Sequence, residues 1–224
     1  MSYSSVFVKL LTLQCLVILC VSQSFDFFYF VQQWPGSICD TKRSCCYPKA
    51  GKPAANFSIH GLWPNYNNRS WPSFCNRESL FDHSKLSDLS RMQTTWPSLI
   101  CPSGNNSKFW KHEWDKHGTC SEFVLDQHQY FEETLNIKDR VDLLQILQNE
   151  GIQPDGRNYS IGSIEEALRR GIGFAPGIKC NKDASGNGQL HEIYLCVEKT
   201  GSKLIECPVL PRRNCAQHVE FPAF

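Results

Sequence analysis

FWKHEWDKHGTC, from Phe109 to Cys120, carries more chemistry than any other stretch of this 224-residue chain. At about 100° per residue it reads as a helix. His112, Lys116, Phe109, Glu113 and His117 then follow one another around an arc of ~140°. Trp110 and Trp114, four residues apart, lie on the adjoining side as anchors to a core, and Lys111 and Asp115 face water. Gly118 is a helix stop, and Cys120 is placed to tie down the end. Two imidazoles, a carboxylate and an ammonium therefore share one face beside two indoles. A plain solvated helix face has no need of that set.

The pair His112-Glu113 superficially begins the zinc-protease pattern HExxH, but that pattern needs its second histidine four residues on. Lys116 occupies that position, and His117 lies ~140° round from His112. Zinc ligation is excluded on these grounds, and no metal site is expected.

Working outward, the N-terminus has Lys9, then the apolar run LLTLQCLVILCV, then Ser22 and Ser24. This is the pattern of a secretory leader over residues 1–24, too short for a membrane span. The expected mature chain, residues 25–224, is long enough for one domain with a sizeable core. Of 12 cysteines, Cys15 and Cys20 leave with the leader and ten remain. An even number in a secreted chain implies disulfides, whose pairing spacing does not give. The sequons at Asn68, Asn105 and Asn158 are open to glycosylation, Asn56 less so because it falls at a strand. Without Lys9, 22 basic residues balance 22 acidic ones. A protein that holds long nucleic acid by charge is basic overall, so a polyanionic substrate would be gripped locally and released.

FDFFYFVQQ (25–33) reads as a strand, followed by a Pro, Gly and Cys-rich stapled loop. In NFSIHGLWPN (56–65), strand alternation puts His60 on the opposite side of the pleat from Phe57 and Ile59. Gly61 leaves the backbone beside it uncrowded, and Trp63 offers an indole for stacking. Helices are expected near 81–93, over 123–136, from an Asp139 cap to Glu150, and from a Ser163/Glu166 capping box to Gly171. The last third alternates as strands at 177–180, 190–198 and 203–209. His83, His128, His191 and His218 have no comparable neighbours. No cofactor motif, Gly-rich phosphate loop, GxSxG elbow or repeat occurs.

Paired imidazoles suit concerted acid–base catalysis, and an ammonium and a carboxyl group beside them suit a reaction that develops charge on phosphate oxygens. RNA supplies its own nucleophile, the 2′-OH, and would yield a 2′,3′-cyclic phosphate; DNA lacks that group. FSIHGLWPN and FWKHEWDKHGTC resemble the two active-site segments of the ribonuclease T2 family, and the similarity to its plant extracellular or vacuolar members spans residues 25–224.

That resemblance implies an α+β fold, a central antiparallel sheet flanked by helices in one disulfide-stapled domain. It implies His117 as general base, His60 as general acid, Glu113 and Lys116 as stabilisers of the phosphorane, and His112 as a phosphate holder. Trp63 and Asn65 would meet a base, with Gln33, Ser98, Leu99 and Phe109 shaping base pockets. Asn65 stands where some members carry Asp. The implied bridges are Cys39–Cys45, Cys46–Cys101, Cys75–Cys120, Cys180–Cys215 and Cys196–Cys207. The expected protein is a monomeric, cofactor-free, secreted or vacuolar endoribonuclease acting on single-stranded RNA, serving phosphate scavenging, senescence or defence. A pollen-rejection role fits less well, because those relatives tend to be basic. A storage role normally accompanies loss of a catalytic histidine, and both are retained.

Overall fold

The computed structural model describes residues 24–86, 88–102 and 104–224, so the leader reading lies outside them except for Ser24. In chain order the elements are β1 (Phe27–Gln33), α1 (Pro35–Cys39), β2 (Ser58–Asn65), α2 (Leu89–Thr95), α3 (Asn106–Lys116), α4 (Gln127–Arg140), α5 (Leu143–Asn149), β3 (Asn158–Ser160), α6 (Ile161–Ile172), β4 (Gly177–Lys182), β5 (Gly188–Val197), β6 (Leu204–Ile205) and β7 (His218–Glu220). The strands form one sheet in the order β2-β1-β5-β7-β3, with β4 and β6 also paired to β5. Pairing is antiparallel except for a single parallel bridge between β5 and β7, Gln189 to Glu220. The fold is α+β, in one disulfide-stapled unit.

The aromatic density of β1 has a simple cause: both its faces are covered. Phe28 and Phe30 pack with the helices, while Phe27, Tyr29 and Val31 join Tyr194 and Cys196 in a smaller core on the other face. That second core is roofed by Ile205, Cys207 and Val209 rather than by a helix. The Tyr29 hydroxyl donates to the Val209 carbonyl at 2.6 Å, and the Cys196–Cys207 bridge ties the roof to β5. The helices therefore gather on one face, leaving the edge of the other for the site.

Two β-bulges shape that edge. Val31 pairs with Gly61 and Gln32 with Ile59, so His60 is an extra residue in β2. Ile59 and Leu62 can then both enter the main core, with His60 turned out beside Trp63. Lys179 pairs with Glu192 and Cys180 with Leu190, making His191 the extra residue in β5.

Outside the Phe109–Cys120 stretch, helix boundaries differ from the sequence reading in four places. The 81–93 segment is a 3₁₀ turn at His83–Lys85 followed by α2, which Asp88 caps by accepting from the Arg91 amide. The 123–136 helix begins at Gln127, where Asp126 and Gln129 form a reciprocal capping box; Phe123 precedes it and packs against Phe25. Asp139 lies inside α4 and pairs with Arg91, while Asp142 caps α5, because Val141 between them is extended. Ser163 and Glu166 lie within α6, which starts directly from β3 to bury Ile161, Ile164, Ala167 and Leu168 and stops at Gly173, φ +89°. Glu166 pairs with Arg169 and Arg170 instead of capping.

Five disulfides form: Cys39–Cys45, Cys46–Cys101, Cys75–Cys120, Cys180–Cys215 and Cys196–Cys207. Among the sequons, Asn68, Asn105 and Asn158 are exposed. Asn56 precedes β2 rather than lying in it, and its side-chain oxygen accepts from the Phe57 amide.

Candidate active site

The helix read from Phe109 to Cys120 starts earlier, at Asn106, capped by the Asn105 side chain, which accepts from the Lys108 amide. Its indoles act as anchors: Trp110 Nε1 donates to the Trp96 carbonyl at 2.8 Å and Trp114 Nε1 to the Ser79 carbonyl at 3.0 Å. Lys111 and Asp115 pair on the outer face at 2.6 Å. Regular helix ends at Lys116, and a 3₁₀ turn carries Gly118–Cys120 into the Cys75 bridge. Gly118 is required there, since a Cβ would lie 2.2 Å from the Trp114 ring. His117, as the last cap residue, turns inward and is 4 % exposed.

Trp63 on β2 joins the two histidines. Its ring stacks on His117 at 5.1 Å and meets His60 edge-on at 4.8 Å. Its Nε1 donates to Glu113 Oε2 at 2.8 Å. Glu113 is buried, His112 is exposed and Lys116 lies between them in exposure. Gly61 is where the strand meets this cluster: a Cβ would sit 2.2 Å from both Glu113 Oε2 and Trp63 Nε1.

Sequence reasoning missed Glu192. Its Oε1 accepts from His60 Nδ1 at 2.6 Å and its Oε2 accepts from the Tyr194 hydroxyl at 2.8 Å. The partners are 132 residues apart, and only the bulged register across β1 brings them together. An LHEIY strand with one inward carboxylate was the available signal. His191, set aside as lacking neighbours, is half of this environment, 3.9 Å from Glu192 and held by Ser37 at 3.0 Å.

Electrostatics separate the histidines. Burial works against charge on His60, but the Glu192 hydrogen bond and the Glu113 and Glu192 charges outweigh it and raise its pKa. Burial, aided by Lys116, His60 and His112, drives His117 down to about 2. His112 is lowered by burial and Lys116. Burial lifts Glu113 above the usual carboxylate range despite His60 and Trp63. Glu192 resists its own burial through the His60 hydrogen bond and charge and sits at about 2. The surroundings thus favour the charged form of His60 and the neutral form of His117.

Two clefts open on either side of Lys116, His117 and Trp63, which line both. One, of about 500 Å³, also contains His60, His112, Glu113, Ser98, Phe109, Ile100 and Lys108. The other, of about 520 Å³, contains Asn65, Tyr29 and Tyr194 with a rim from distant segments. Of the residues expected to shape base pockets, Trp63, Asn65, Ser98 and Phe109 line a cleft. Gln33 and Leu99 are buried behind them and line neither. Gln33 is paired into the sheet between Ser58 and Glu192, and the Leu99 carbonyl accepts from the Cys46 amide. One face of Trp63 is already covered by His117.

Known proteins are similar to this chain along most of its length. Extracellular ribonuclease LE of Solanum lycopersicum is 54% identical over 225 residues, covering 100% of this chain and 98% of that one. Intracellular ribonuclease LX of the same plant is 54% identical over 227 residues, covering 100% and 95%. The crystal structure of RNase NT in complex with 5′-AMP superposes with a TM-score of 0.85 at 52% identity, covering 90% of this chain and 100% of that one. The ribonuclease T2 family model matches residues 25–207. With the family model matching residues 25–207 and relatives more than half identical along the whole chain, the chain belongs to the ribonuclease T2 family.

Proposed function

We propose that this ribonuclease cleaves single-stranded RNA endonucleolytically, without a metal ion, by transesterification and then hydrolysis. His117, the neutral imidazole, takes the proton from the 2′-OH. The 2′-oxygen bonds to phosphorus while the P–O5′ bond breaks, and charged His60 gives its proton to the departing O5′. The products are a 2′,3′-cyclic phosphate and a 5′-hydroxyl. Water then opens the cyclic ester with the roles reversed, leaving a 3′-phosphate. Lys116 and His112 offset charge on the phosphorane oxygens. Glu113, whose carboxyl binds its proton more tightly than usual, shares that proton with one of those oxygens. Glu192 is a positioning residue: it fixes the His60 ring and keeps it charged.

The observation that carries this reading is that one indole touches both imidazoles while their surroundings push their protonation in opposite directions. The cleft containing His60 then takes the nucleoside on the leaving O5′, and the cleft beyond His117 takes the nucleoside that supplies the 2′-OH. Around this chemistry we place a removable leader over residues 1–24, a single mature domain from Phe25, a monomer, and a secreted or vacuolar destination. Ten cysteines closed into five bridges suit such a compartment. Phosphate scavenging, senescence or defence is the matching role.

The test is cleavage of ribodinucleotides and their 2′-deoxy analogues in excess EDTA, with products identified by mass. Cyclic phosphate from the ribose substrates alone supports the mechanism. Cleavage of the deoxy analogue, or activity abolished by EDTA and restored by a metal, refutes it.

A further inference from the structure

The rim of the cleft beyond His117 is cationic. Arg69, Lys179 and Arg212 line it together with Lys116, and no carboxylate does. The three come from different places: the turn after β2, β4, and the segment between two disulfides near the C-terminus. Charge here is local, since the whole chain carries a formal net charge of only +1.

These side chains are also unspent. Arg91, Arg157, Arg169, Arg170 and Arg213 each pair with a carboxylate, whereas Arg69, Lys179 and Arg212 form no ion pair among the described residues. Arg212 and its neighbour make the contrast directly, Arg213 being bound to Glu165.

Both arginines are held by built segments. Arg69 sits at φ +71°, a conformation that disfavours side chains other than Gly or Asn. Its turn is closed by two backbone hydrogen bonds, the Arg69 amide donating to the Tyr66 carbonyl at 3.1 Å and the Tyr66 amide to the Ser70 carbonyl at 2.9 Å. The guanidinium charge reaches the Tyr29 hydroxyl at the cleft floor. Arg212 follows Pro211, which packs so closely on Gly177 that a Cβ there would lie 2.5 Å away. Asn214 then grips Cys180 through both its amide groups, at 2.9 and 2.8 Å. Strain and staples at a cationic rim point to a ligand anion.

We infer that Arg69 and Arg212, supported by Lys179, form a subsite for the phosphate on the 5′ side of the nucleotide that supplies the attacking 2′-OH. The inference rests on the proton roles proposed above, which set the polarity of the strand. Its consequence is a preference for internal bonds of an oligoribonucleotide over an unphosphorylated dinucleotide.

The experiment compares kcat/KM for NpN, pNpN and NpNp, which add no phosphate, a 5′-flanking phosphate and a 3′-flanking phosphate. In the wild type, pNpN should exceed NpN by on the order of 10-fold, as expected for a charge-assisted contact. The gain should shrink with salt, adding a slope of about 0.7 in log–log form per phosphate. In the Arg69→Gln/Arg212→Gln double variant the pNpN/NpN ratio should fall to about 1, a ratio within one protein that does not depend on the folded fraction. Equal rates on pNpN and NpN in the wild type, a gain that survives the double substitution, or a gain carried by NpNp instead would overturn the subsite. Failure to cut NpN at all would count against the proposed chemistry, a separate result.

Discussion

Trp63 is the residue that most constrains the site, because it has three partners at once: His117 on its face, His60 at its edge and Glu113 on its N–H. Gly61 protects that junction. Gly61→Ala would drive a methyl group into the Glu113–Trp63 hydrogen bond and should lower kcat by about 10²-fold, the cost of a small displacement at a reacting centre. Steady-state kinetics set beside circular dichroism would separate this from unfolding. Glu192→Gln makes a sharper prediction. Glu192 supplies the largest influence raising the His60 pKa, and burial alone would lower it. The proposed mechanism needs His60 charged, so the alkaline limb of kcat/KM, which falls as pH rises through the His60 pKa, should move to lower pH. The rate near neutrality should drop at least about 10-fold. An unshifted limb would reduce Glu192 to a packing role. The catalytic helix residues were legible because they fall within nine positions of one another and helical period orders them. Glu192 was not, because its partner is reached only across β1 through the bulge at His60, and a one-residue shift of register leaves no mark in composition.

At the scale of elements, the 3₁₀ turn and bridge after α3 are what orient His117. The Cys75–Cys120 bond closes 45 residues with a Cα–Cα distance of 4.9 Å. Chain-entropy arguments give such a loop about 4 kcal/mol. Cys75→Ala/Cys120→Ala should therefore lower the urea midpoint clearly and lower kcat further than the loss of folded protein explains, as the cap residue loosens. A variant with unchanged kcat at full folding would show that α3 needs no clamp. The strands and the helical middle were readable from period. Helix starts were less so: Asp139 and Ser163 carry good capping chemistry, but tertiary burial set the starts at Leu143 and Ile161 instead.

On the scale of the whole molecule, the C-terminal HVEFPAF is anchored in the core by Val219 and Phe221. Phe221 is fully buried against Trp34 at 4.9 Å, and Trp34 Nε1 donates to the Pro222 carbonyl at 2.8 Å. Phe221→Ala should destabilise the fold by about 3–5 kcal/mol, measurable by denaturant melting; a near-neutral result would mean that this tail is only loosely docked. The two-faced burial of β1 was visible as unbroken aromatics, although which segment covers the second face was not: 203–209 reads as a strand, but only Leu204–Ile205 pair with β5, and the residues after them are fixed by a disulfide and one tyrosine. The proposed mechanism rests on one electrostatic arrangement, a charged His60 and a neutral His117 around Trp63. Imidazole NMR of the folded enzyme, with His60 and His117 assigned by substitution, reads it directly. At about pH 6, just below the ordinary histidine value, the account requires the His60 ring to be cationic and the His117 ring to be neutral, staying so as the pH is lowered further. A cationic His117 with a neutral His60 would contradict the proton roles and the strand polarity built on them.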